Sequence, residues 1–133
     1  MLKIEHIGIA VKELQQSIPL FEQLLNTPCY KTEMVENEGV NTAFFQVGES
    51  KIELLEATKE QSPIAKFIDK KGEGVHHIAY YVHNIEAEMK RLAALGFELL
   101  NDTPKRGADN KWVCFLHPKT TNGVLIELCE DIK

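Results

Sequence analysis

Two histidines and two glutamates of this sequence recur at matching places. His6 stands in Ile4-Glu5-His6-Ile7-Gly8 and His77 in His76-His77-Ile78-Ala79. Glu53 stands in Ile52-Glu53-Leu54-Leu55-Glu56 and Glu127 in Ile126-Glu127-Leu128-Cys129-Glu130. Imidazole nitrogens suit zinc, cobalt, nickel and iron, and carboxylate oxygens widen the choice to manganese or magnesium. Four such ligands on an octahedral ion leave two positions for a substrate. A single strand histidine is usually a core or surface residue, and a glutamate flanked by Ile and Leu usually faces solvent. The doubling is what makes the four a candidate metal site for a divalent ion.

The neighbours sort by strand alternation, which sends successive side chains to opposite faces. His6 shares a face with Gly8, and His77 with Ala79. Each small residue leaves room beside its imidazole. His76 is excluded as a ligand, because it faces away from His77 and its counterpart is Glu5. Glu56 and Glu130 also repeat, three positions beyond Glu53 and Glu127, and are expected as solvated strand ends. Gln46 shares a face with Thr42 and is a candidate polar contact. His83 has no counterpart in the first copy, and His117 is kept as a loop candidate. Cys29, Cys114 and Cys129 have no paired spacing of the zinc or redox kind, and read as small buried hydrophobes.

The elements that must carry these residues repeat as well. His6 falls on His77, Ala43-Phe44-Phe45 on Cys114-Phe115-Leu116 and Glu53 on Glu127. The second copy is three residues longer before its glutamate, and the surplus belongs in a loop such as 119–122. Strand-like stretches at 4–11 and 75–82 open the copies. Leu14, Ile18, Phe21, Leu24 and Leu25 then recur at helical spacing, as do Ile85, Met89, Leu92 and Leu95. Asn84 suits the start of the second helix and Gly96 its end. Pro19 should kink the first helix or delay its start. Three strands are expected after each helix, at 29–35, 41–47 and 51–56 and at 98–101, 112–117 and 124–130. Between the copies, Ser62-Pro63 begins a short helix that Gly72 ends.

The 133 residues, 44% hydrophobic and 26% charged, fit one globular domain and not a disordered chain. We read residues 1–133 as a single domain: module 1 at about 1–60, a linker helix at about 62–71 and module 2 at about 73–133. The net charge of −5 lacks the basic excess of a nucleic-acid binder. No apolar run is long enough to cross a membrane. The opening Met1-Leu2-Lys3-Ile4 enters a strand pattern at once and fits no leader, so a cytoplasmic location is expected.

Taken together, "IEHIGIAV" (4–11), "IELLE" (52–56), "SPIAKFI" (62–68), "GEGVHHIA" (72–79), "FLHPKT" (115–120) and "GVLIEL" (123–128) resemble the vicinal oxygen chelate superfamily. Within it they are most similar to the methylmalonyl-CoA epimerases. The resemblance implies an α+β fold in which two tandem βαβββ modules form a cupped eight-stranded, mixed but mainly antiparallel sheet. It implies one divalent metal ion, whether cobalt, manganese, nickel, zinc or magnesium, on His6, Glu53, His77 and Glu127. It also implies an acyl-CoA substrate and a homodimer. The reaction would interconvert the epimers of methylmalonyl-CoA at the carbon between carboxylate and thioester. A metal on the carboxylate and thioester oxygens would stabilise the enolate by several kcal/mol. One acid/base group on each side of the carbon is the simplest arrangement. Glu127 matches one acid/base of the family. Where some epimerases carry the second glutamate this chain has Thr42, which cannot take a proton from carbon at neutral pH. The second group is left to Glu53, a metal-bound water or another residue. Lys119, with Lys105, Arg106 and Lys111, could hold CoA phosphates, and Thr42 and Gln46 are read as further substrate contacts. The same resemblance admits lactoylglutathione lyase activity, or a metal-free small-molecule-binding protein of the resistance type.

Overall fold

Strands and helices form where the apolar spacing changes period. The computed structural model describes Met1–Lys133. The first copy runs β1 (Lys3–Ala10), α1 (Leu14–Leu25), β2 (Lys31–Val35), β3 (Val40–Val47) and β4 (Ser50–Ala57). Helix α2 (Pro63–Lys71) follows. The second copy runs β5 (Gly74–Tyr81), α3 (Ile85–Ala94), β6 (Lys105–Gly107), β7 (Lys111–Leu116) and β8 (Ile126–Asp131). The order is βαβββ twice, as expected from the repeat. The strands of the first copy lie in the order β2-β3-β4-β1 and those of the second in the order β5-β8-β7-β6. Strand β1 pairs in parallel with β4, and β5 with β8. The pairs β2–β3, β3–β4, β6–β7 and β7–β8 are antiparallel. The sheet is therefore mixed and mainly antiparallel.

The chain packs as two units, His6–His76 and Met1–Glu5 with His77–Lys133. In the first, Leu14, Ile18, Phe21 and Leu25 of α1 pack on Ala43, Phe45 and Leu54, while Leu24 turns out to solvent. Helix α2 covers the opposite face near Ala10, Val40 and Leu55. The Ser62 hydroxyl starts it by accepting from Ile64 N at 3.1 Å, and Gly72 closes it at φ 79°. In the second unit, Ile85, Met89 and Leu92 of α3 pack on Cys114, Leu116 and Leu128. Asn84 Oδ1 accepts from Ala87 N at 3.0 Å, the cap its position suggested.

Three expectations differ from the structure. Helix α1 starts at Leu14 and runs through Pro19 without delay. Pro19 and Gln15, whose carbonyl loses its helical partner, are both exposed, so water can replace the missing N–H. Residues 98–101 make only the single bridge Leu99–Leu116. The Asn101 side chain draws the chain away there, with Nδ2 donating to Thr103 O at 2.7 Å and Oδ1 accepting from Phe115 N at 3.0 Å. The edge strand forms instead at Lys105–Gly107, where a Cβ on Gly107 would meet Val113 Cγ1 at 2.9 Å. Finally, Glu56 and Glu130 are not solvated ends. Glu56 Oε1 accepts from Leu14 N and Glu130 Oε1 from Ile85 N, each at 2.8 Å. Each carboxylate thus satisfies the first N–H of the helix in its own copy. The surplus of the second copy falls in the connection 117–125, which replaces the tight turn at 48–49 and contains the 3-10 turn Pro118–Thr120.

Candidate functional site

Each unit buries one histidine against one glutamate. In the first, His6 Nδ1 lies 3.1 Å from Glu53 Oε2, with the two side chains 6% and 4% exposed. In the second, His77 Nε2 lies 3.2 Å from Glu127 Oε1, with 6% and 7% exposed. Strand register makes the two pairs alike. Parallel pairing sets Gly8 opposite Glu53 and Ala79 opposite Glu127. The histidine two residues earlier then meets the glutamate diagonally across the ladder, on the same face. Antiparallel pairing sets Phe44 on the other side of Glu53 and Phe115 on the other side of Glu127. Each carboxylate is thus held between a small residue and an aromatic one, with the imidazole along the strand.

The donor set fits a divalent metal. Two ligand atoms bound at about 2.1 Å and at right angles sit about 3 Å apart, close to the separation within each pair. Burial strips water from both groups, so an imidazole nitrogen and a carboxylate oxygen side by side need a cation or a shared proton.

The remaining candidates are placed as follows. His76 packs edge-on against Phe67 of α2, with ring centroids 5.0 Å apart. Thr42 is buried and shares the face of Phe44 on β3. Gln46 is exposed and its amide closes the β3–β4 turn, donating to Gly48 O at 2.8 Å and Ser50 O at 3.1 Å. Lys119 is exposed, with its ammonium 2.8 Å from Glu98. That contact holds the Glu98 carboxyl below its ordinary range. His117 Nδ1 accepts from Lys119 N at 3.0 Å and so caps the 3-10 turn. Lys111 is buried and lies 2.8 Å from Asp131. The Arg106 guanidinium stacks over Trp112 at 5.2 Å, whereas Lys105 lies over Phe115 at 5.5 Å.

Two features carried no functional role in the sequence reading. The Phe44/Phe115 match was visible in the repeat, but its place beside the glutamates depends on register. Glu5 is a buried carboxylate next to His6, and alternation alone would have sent it to solvent or core.

Known proteins resemble this chain along most of its length. The sequence model of the glyoxalase/bleomycin resistance protein/dioxygenase superfamily matches residues 5–115. The ethylmalonyl-CoA/methylmalonyl-CoA epimerase of Cereibacter sphaeroides is 38% identical over 95% of this chain and 96% of its own. The hypothetical protein BH1468 of Bacillus halodurans superposes with a TM-score of 0.95 at 45% identity, covering 98% of this chain and 95% of that one. A single-residue variant of the Streptomyces coelicolor methylmalonyl-CoA epimerase in complex with 2-nitronate-propionyl-CoA superposes with a TM-score of 0.94 at 35% identity, covering 98% of this chain and 95% of that one.

Proposed function

The chain belongs to the glyoxalase/bleomycin resistance protein/dioxygenase superfamily and, within it, to the methylmalonyl-CoA epimerases, and from that membership we propose that it interconverts the (R) and (S) epimers of methylmalonyl-CoA. The observation that carries the reading is the doubled, buried His–Glu pair. We assign His6, Glu53, His77 and Glu127 as ligands of one shared divalent ion. When bound, such an ion acts as a Lewis acid toward the substrate's carboxylate and thioester oxygens.

The protein's own groups then handle the proton. The C–H between carboxylate and thioester is a weak acid, and losing its proton moves charge onto the thioester oxygen. Epimerisation needs that proton removed on one side of the carbon and another delivered on the opposite side. Glu127 is the base we assign to one side. Thr42 has no basic atom, so Glu53 is assigned to the other. Phe44 and Phe115, flanking the two carboxylates, limit water there. A drier surrounding raises the basicity of a carboxylate towards carbon. Lactoylglutathione lyase activity would use the same donors on a different substrate; the epimerase relatives favour the acyl-CoA.

Exchange of the substrate's α-proton in deuterated water, followed by NMR with metal analysis of the same sample, tests this reading. The wild type should exchange and epimerise. Glu53→Gln should retain the metal and lose about 10²–10⁴-fold in epimerisation, while exchange from the Glu127 side persists. Full epimerisation by that variant would remove Glu53 from the proton relay. Wild-type protein, metal loaded, that neither exchanges nor epimerises would overturn the function.

A further inference from the structure

Strand β7 meets its two neighbours unequally at Phe115. The N–H and C=O of one strand residue point to the same side. Phe115 N donates to Asn101 Oδ1 at 3.0 Å, and Phe115 O accepts from Leu100 N at 2.8 Å, so both point to the outer edge. Towards β8, Phe115 and Glu127 are therefore a non-hydrogen-bonded pair, the kind in which side chains stand closest. The partly buried Phe115 side chain shares the face of Glu127, and its ring meets His77 edge-on with centroids 5.8 Å apart. Its peptide groups, in contrast, are held from the edge.

That edge is broken at this place. From Leu99 opposite Leu116 to Lys105 opposite Val113, the edge advances six residues while β7 advances three. Pro104, with no N–H, cannot carry the ladder across. The Asn101 amide fills the gap. Its Nδ2 donates to Val113 O at 3.2 Å and to Thr103 O at 2.7 Å, while Oδ1 takes Phe115 N. One side chain thus replaces a stretch of strand backbone. The first unit needs no such device, since β2 pairs with β3 without a break from Lys31–Phe44 to Val35–Val40.

From this geometry we propose that Asn101 is a positioning residue for the proton transfer at Glu127: by holding the Phe115 peptide, it keeps the phenyl ring seated beside the His77–Glu127 pair. The inference rests on the epimerase reading above. A displaced ring would admit water to the carboxylate and disturb a geometry in which an error of about 1 Å can cost about 10²-fold in rate. The two ends of the amide can be separated by substitution. Asn101→Asp keeps an oxygen for Phe115 N but gives up both donations and sets its second oxygen against two carbonyls. Asn101→Ala gives up all three bonds and leaves Phe115 N and Val113 O without the partners that fix this stretch.

Epimerisation of methylmalonyl-CoA by the metal-loaded protein tests the proposal, together with urea unfolding and with NMR of the His77 imidazole in zinc- or magnesium-loaded samples. Asn101→Ala should lower kcat about 10-fold or more and change KM less than about 3-fold. In a Phe115→Leu background the same substitution should change kcat less than about 2-fold, because its route to the site is gone. Asn101→Asp should unfold at lower urea yet keep kcat within about 3-fold of wild type, a split that a merely structural role does not produce. The His77 ring protons, shifted by the Phe115 ring in the wild type, should move in Asn101→Ala towards their position in Phe115→Leu and stay in place in Asn101→Asp. An equal kcat loss from Asn101→Ala in both backgrounds, or no loss in either, overturns the proposal and leaves the epimerase reading standing. If Asn101→Ala does not fold, Asn101→Asp decides: retained kcat with unmoved His77 protons supports the proposal, and a lost kcat overturns it. Metal-loaded wild type that fails to epimerise overturns the epimerase reading, and the role of Asn101 with it.

Discussion

At the scale of single residues, the chemistry depends on which imidazole meets which carboxylate. His76 and His77 are adjacent in sequence, yet one packs on Phe67 and the other lies 3.2 Å from Glu127. Strand alternation made that distinction legible, because one position along a strand reverses the face. The pairing of each histidine with its glutamate was legible only through the repeat, since the diagonal contact depends on register. What Gln46 and Lys119 bond to was not legible. Their partners are a turn carbonyl and a glutamate brought close by folding, and nothing in local sequence announces either. The face assignment yields a paired prediction. His77→Ala should lose bound metal, measured by inductively coupled plasma spectrometry, together with at least about 100-fold of activity. His76→Ala should keep its metal, and the edge-on packing with Phe67 that it loses is worth about 1 kcal/mol. Metal loss in His76→Ala and not in His77→Ala would reverse the assignment of faces.

At the scale of elements, the last strand of each copy performs two tasks with two glutamates. Glu53 and Glu127 face the histidines, while Glu56 and Glu130, three residues on, reach the first N–H of α1 and α3. The odd spacing puts the two carboxylates on opposite faces. That much could be read from the sequence; that the outer pair would find helix N-termini could not, because it depends on how each helix returns over its sheet. A carboxylate at that position answers an unpaired N–H and the positive end of the helix at once. Its importance differs between copies. Helix α3 also has Asn84 as a side-chain cap, whereas the residue before α1, Glu13, makes no side-chain cap. We therefore expect Glu56→Ala to cost about 1–2 kcal/mol and Glu130→Ala about 0.5–1 kcal/mol in urea unfolding. A larger loss at Glu130 than at Glu56 would contradict this ordering. Strand β6 shows the opposite limit: Lys105-Arg106-Gly107 has no apolar alternation, and its place is set by the Asn101 side chain and the fit of Gly107 against Val113.

At the scale of the whole molecule, duplication has produced two small cores with the same plan and different fillings. Ala43 and Phe45 in one correspond to Cys114 and Leu116 in the other, all buried against the helix of their unit. A smaller residue beside a larger one in one copy is exchanged for two of middle size in the other, so the filled volume is roughly kept. This exchange gives the second core a fully buried thiol, Cys114, where the first has the methyl group of Ala43. Burial pushes the Cys114 thiol up to about 11. An unfolded thiol ionises near 8.5. Between those values the unfolded chain has released a proton that the folded chain still holds, so stability falls as pH rises. Below about pH 8 both states keep the proton and the group contributes no slope. The first copy supplies the control, because its equivalent residue is alanine. Cys114→Ala should cost about 1 kcal/mol at pH 7 for the small cavity it leaves. From pH 9 to 11 the gap should close and then reverse, as the wild type loses up to about 1.4 kcal/mol per pH unit that the variant does not. Parallel stability curves for the two proteins across that range, from urea unfolding at each pH, would show that Cys114 ionises as readily in the folded core as in the unfolded chain.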